Sequence, residues 1–195
     1  MSNSFENPSK QSKSLTLALG AMFTAIVIVL QFLGSFIHFG SFSISLVLVP
    51  IVVGAAMCGP WIGAWLGFVF GIVVLFTDAA MFLAVSVPGT ILTVLLKGTL
   101  CGLAAGLVYR WLSKYNVYLA VFAAAIVCPV VNTGVFLLGC VAFFLPLLSE
   151  WAGGVPVWKY MLLGLVGANF LFELAFNMIL SPIIVRLLRI SKKLG

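Results

Sequence analysis

Gly59-Pro60-Trp61-Ile62-Gly63-Ala64-Trp65-Leu66-Gly67-Phe68-Val69-Phe70-Gly71 is the stretch that decides the architecture. Gly59, Gly63, Gly67 and Gly71 recur at every fourth position, and large apolar residues fill the gaps. On an α-helix, residues four apart share a face, so this spacing cuts a groove without side chains. In water each glycine would weaken the helix by roughly 1 kcal/mol relative to alanine. In a bilayer the same pattern lets two backbones approach closely, where no hydrophobic driving force holds helices together. The stretch therefore predicts a membrane helix with a tightly packed neighbour.

Composition agrees with that reading. Of the 195 residues, 64% are hydrophobic and only 7% are charged, and the mean hydropathy is +1.29. A soluble domain carries about 25% charged residues, so the chain reads as an all-α integral membrane protein. At roughly 20 residues per crossing, its length accommodates about six transmembrane helices and no separate soluble domain. The net charge of +6 is then a topology signal before it is a sign of nucleic-acid binding.

The expected spans are Leu15–Leu33, Phe42–Met57 with Pro50 inside, Trp61–Thr77, Thr90–Trp111, Val117–Leu145 and Trp158–Leu188. The expected organisation is a polar cytoplasmic tail at 1–13, a six-helix membrane domain at 14–190 and a basic tail at 191–195. The two tail lysines before the first apolar run resemble a signal peptide. That run has no convincing small-residue cleavage site and more spans follow, so a retained first helix is expected. With the N-terminus inside, Lys10, Lys13, Arg110, Lys114, Arg186, Arg189, Lys192 and Lys193 are all cytoplasmic. Only Lys159 falls at an outer boundary, so both termini are expected to be cytoplasmic in a multi-pass protein of the cell membrane.

Gly98, Gly102 and Gly106 repeat the four-residue spacing in the fourth span, which suggests a close contact with the third. Generic helix packing is the alternative. Cys58, Cys101, Cys128 and Cys140 lack metal-ligand spacing with one another or with the single histidine, His38. They read as small apolar packing residues, and no metal site is expected.

Polar groups at membrane depth need a partner or a purpose. Lys97 lies about 10 Å into its span, with Thr90 and Thr93 on the same stripe. Asn132 follows Pro129, which removes a backbone donor and frees a carbonyl. Asn169 and Asn177 bracket Glu173 at four-residue spacing. Lys97, Asn132 and Asn169 fall at depths that allow convergence on one cavity, with Glu173 about one turn deeper. One cation, amides and apolar walls suit a small ligand bearing a carboxylate and hydrogen-bonding groups. Against this stands a purely structural reading, in which Lys97 snorkels or pairs with Glu173 and the asparagines tie helices together. For Glu173 the structural reading is the first choice. The outer loops at 34–41, which includes His38, and at 78–89 are suited to act as a lid over an outward-facing site.

These features together resemble the substrate-binding S components of energy-coupling factor (ECF) vitamin transporters. The resemblance is carried by Pro50 with the Gly54–Phe68 run, by Lys97 through Gly102 and Gly106 to Arg110, by Pro129-Val130-Val131-Asn132-Thr133-Gly134, and by Asn169, Glu173, Asn177 and Pro182. Within the family the chain is most similar to the pantothenate-type branch; folate, cobalamin and riboflavin binders share the architecture. The resemblance implies capture of a water-soluble vitamin from outside, with Lys97, Asn132, Asn169, Thr93, His38 and Glu173 as candidate contacts. It also implies docking on a transmembrane scaffold subunit driven by two cytoplasmic ATPase subunits. In the family an alanine pair on the first helix meets that scaffold, and Ala21 and Ala25 match it. Gly59 and Trp61 lie at the end of the bundle where the scaffold would press. The chain has no Walker motif, so ATP and magnesium are expected only in the partners, with no cofactor here. Two other classes fit less well. An intramembrane enzyme lacks any assembled nucleophile and base, and a self-sufficient secondary carrier lacks matching inverted halves.

Overall fold

The computed structural model describes residues 13–36, 38–39, 42–43 and 46–194, with the backbone alone at 38–39, 42–43, 168, 187 and 189–194. Helix α1 (Lys13–Gly34) leads to two short antiparallel strands, β1 (His38–Phe39) and β2 (Phe42–Ser43), with His38 opposite Ser43. Next come α2 (Leu48–Cys58), α3 (Pro60–Thr77), the single turn α4 (Ala80–Leu83) and α5 (Val87–Leu112). The chain continues through α6 (Val117–Phe143), α7 (Leu145–Ala152), α8 (Val157–Lys159), a π-helical segment (Tyr160–Leu165) and α9 (Gly167–Leu194). The tail at 1–12 lies outside the described residues.

Five helices are long and apolar enough to cross a membrane: α1, α3, α5, α6 and the Asn169–Arg186 part of α9. The expected span Phe42–Met57 is not one helix. Its first residues pair as β2, and α2 has 11 residues, about 16 Å against a hydrocarbon core of about 30 Å. Pro50 explains where α2 begins. It is the third helical residue, in the first turn, where a backbone N–H would have no intrahelical partner anyway. The expected span Trp158–Leu188 is likewise interrupted, by the π segment and the break at Val166.

Helix ends follow local chemistry. Ser86 caps α5 by accepting the Gly89 N–H at 3.3 Å, and Pro88 sits in the first turn. The helix thus starts three residues earlier than Thr90, because proline fits there without loss. Asn116 caps α6 by accepting the Tyr118 N–H at 2.8 Å. Gly59 joins α2 to α3 at φ +98°, a conformation an L-residue with a side chain rarely adopts.

The glycine ladders meet. A methyl group on Gly63 would lie 2.5 Å from the Gly102 carbonyl oxygen, and one on Gly71 2.9 Å from that of Val94. At Gly67 it would overlap the Gly98 carbonyl outright, and at Gly106 it would sit 2.6 Å from the Pro60 Cα. Partner numbers fall along α5 as they rise along α3, so the two helices run antiparallel with backbone pressed on backbone. Around this seam lies a core of Phe23, Val27, Leu48, Ile51, Leu66, Phe70, Cys101 and Cys128. A second apolar cluster, of Phe82, Phe136, Phe144, Leu148, Met161 and Leu165, closes one end of the bundle. Cys101, Cys128 and Cys140 are buried free thiols, packed as expected.

Candidate substrate cavity

The antiparallel order decides which residues can meet. Gln31 is near the end of α1 and Asp78 just beyond α3. Thr93 and Lys97 are in the first turns of α5, Asn132 and Phe136 in the later half of α6, and Asn169 and Glu173 in the first turns of α9. Chain direction alone carries all of them to the same end of the bundle, opposite Arg110 and Arg186. There they line one cavity.

Of the residues singled out in the sequence, Thr93, Lys97, Asn132, Asn169 and Glu173 all line this space. Glu173 is thus at the cavity and not merely beneath it. The side chain of His38 lies outside the described residues. Two lining residues went unread in the sequence as site groups, Gln31 and Asp78.

Lys97 is placed between aromatic faces. Its ammonium lies 5.7 Å from the centroid of the Phe70 ring on α3 and 5.1 Å from that of Phe136 on α6. Both are within cation–π range, which compensates part of the cost of holding a charge at this depth. The carboxylates of Glu173 and Asp78 act on it electrostatically. The cavity therefore contains one cation and two carboxylates, where the sequence suggested a single cation among amides.

Each carboxylate is braced by an amide. Gln31 Nε2 donates to Asp78 Oδ2 at 2.9 Å, and the Thr77 hydroxyl donates to the same oxygen at 2.6 Å. Asn169 Nδ2 donates to Glu173 Oε1 at 3.3 Å. One turn further along, Asn177 Nδ2 donates to the Glu173 backbone carbonyl at 2.9 Å. Among the described residues, Gln31 Oε1, Thr93 Oγ1, Asn132 Oδ1, Asn169 Oδ1 and Asn177 Oδ1 are buried with no hydrogen-bond partner, and all but Asn177 line the cavity. Such a group costs about 1–3 kcal/mol when left unsatisfied, so four of them around one cavity call for donors, which water or a polar ligand can supply.

Two elements shape the walls. Gly139 on α6 lets Thr93 of α5 press against its backbone, since any side chain there would overlap the threonine. The π segment ends beside the cavity, which Leu165 and Val166 line, and such segments recur where a helix is opened for function. Phe82 of α4 roofs the space. Its ring meets Phe136, Phe144 and Trp151 edge-on at 5.7, 5.0 and 5.9 Å. The stretch 78–89, expected as a loop, is therefore a helical turn anchored by one aromatic side chain.

Away from the cavity, Ala21 and Ala25 are both exposed along α1, Gly59 is half-buried, and Trp61 is 80% exposed. Trp65 Nε1 donates to Thr24 Oγ1 at 3.2 Å and ties α3 to α1 beside the two alanines.

A family model described as "ECF transporter, substrate-specific component" matches residues 15–185. No curated protein and no solved structure matches the chain.

Proposed function

The chain belongs to the family of ECF transporter substrate-specific components, and from that premise we propose that it captures a small water-soluble vitamin in the cavity lined by Lys97, Asn132 and Asn169. Membership makes it a multi-pass membrane subunit of a transport system, which takes a small-molecule substrate and works with an ECF module; such components are not enzymes. The observation that carries the reading is the gathering of Lys97, Thr93, Asn132, Asn169 and Glu173 from three helices around one space. Pantothenate is the candidate substrate. Its carboxylate matches the Lys97 ammonium, and its hydroxyls and amide match the polar wall. With the basic ends of α5 and α9 in the cytoplasm, the cavity opens outward, as an importer requires. Both termini are then cytoplasmic. Ala21, Ala25, Gly59 and Trp61 form the face offered to the scaffold subunit, whose two ATPase partners supply the ATP hydrolysis.

Equilibrium binding of radiolabelled pantothenate to the purified full-length protein tests this, alongside mass spectrometry of small molecules that co-purify. Saturable binding at one site per chain is expected. Absence of pantothenate binding, with a different vitamin recovered by mass spectrometry, would refute the substrate and keep the class.

A further inference from the structure

The two braced amides carry more information than their number. A carboxylate only accepts hydrogen bonds, so Gln31 must turn its NH2 to Asp78, and Asn169 must turn its NH2 to Glu173. This fixes which way each amide faces. The remaining atom on each is a carbonyl oxygen, Gln31 Oε1 and Asn169 Oδ1, and both are buried without a donor among the described residues. Gln31 is 1% exposed, so water from outside does not reach it freely. The wall is consequently rich in acceptors, with Lys97 as its one cationic donor. Two carboxylates beside one ammonium also set a limit on charge: a second negative group on the ligand would have no cation to meet.

We infer that the substrate is a small polar molecule with at least two N–H or O–H donors and no more than one negative charge, and that Gln31 and Asn169 accept those donors. Gln31 is thereby a binding residue contributed by α1, and Asp78 and Glu173 are positioning residues that orient the two amides. The inference rests on the cavity being the substrate site.

Four probes separate the possibilities in equilibrium binding to the full-length protein in lipid nanodiscs. Pantothenate has one carboxylate with hydroxyl and amide donors, and riboflavin is neutral with hydroxyl donors. Nicotinate has one carboxylate and no donor, and folate has two carboxylates. Pantothenate or riboflavin is expected to bind, and nicotinate and folate are not. Gln31→Met and Asn169→Leu are each expected to weaken the bound probe about tenfold or more, the scale of a lost buried hydrogen bond. Binding of nicotinate or folate overturns the inference alone, as does unchanged affinity in both variants. Should either variant fail to fold, the ranking of probes on the unmodified protein decides. Binding of none of the four, with no vitamin recovered by mass spectrometry, overturns the vitamin-site reading and this inference with it, whereas a recovered vitamin with two negative charges or fewer than two donors overturns the inference alone.

Discussion

Lys97 has two claims on its charge, the faces of Phe70 and Phe136 and then the carboxylates of Asp78 and Glu173, to which the proposed substrate adds a third. The first two hold it in the cavity when no substrate is bound. Lys97→Ala is expected to weaken pantothenate binding roughly 10- to 100-fold, the range for a hydrogen bond to a charged group. Titration of the purified variant measures this, and unchanged affinity would remove Lys97 from the site. Lys97, Thr93, Asn132, Asn169 and Glu173 were legible in the sequence because polar side chains inside apolar spans stand out at once. Gln31 and Asp78 were not. They lie at helix ends, where polar residues belong to any membrane crossing, and only the antiparallel packing of α1 and α3 reveals that these ends converge.

Among the elements, the α3–α5 seam was the most legible, since a four-residue glycine spacing has one geometric consequence on a helix. Gly67→Ala and Gly98→Ala each force a methyl group into opposing backbone. Overpacking of that kind costs about 1–3 kcal/mol, so both variants are expected to melt earlier in detergent. Gly134→Ala is the contrast. It lies within α6 with open space around it, and alanine's better helix propensity is expected to leave stability unchanged or raise it by up to about 1 kcal/mol. Equal melting of all three variants would refute the seam. The late start of α2, the β1–β2 pair and the interruption before α9 were not legible. Apolar composition reports that a segment avoids water; it does not report which carbonyl each N–H reaches. For α4 the expected outcome is kinetic. Phe82→Ala removes the ring that meets Phe136, Phe144 and Trp151 over the cavity, so substrate dissociation is expected to accelerate severalfold in a filter-binding chase.

At the scale of the whole molecule, the cavity and the proposed docking face occupy different surfaces. The cavity lies at the end where α5 and α9 begin, and the exposed alanines lie on the flank of α1. Replacing both Ala21 and Ala25 with Leu is expected to abolish uptake into vesicles containing the ECF module while leaving vitamin binding intact. Normal uptake would refute the docking face. One consequence of the seam concerns movement. Contacts between side chains yield gradually, because rotamers can exchange one at a time. A joint of backbone on backbone has no such intermediate settings. Its next seating along the helix is four residues away, about 6 Å, with nothing to rest on between. Helices α3 and α5 therefore behave as a single bar, and any opening of the cavity falls to the elements packed around that bar.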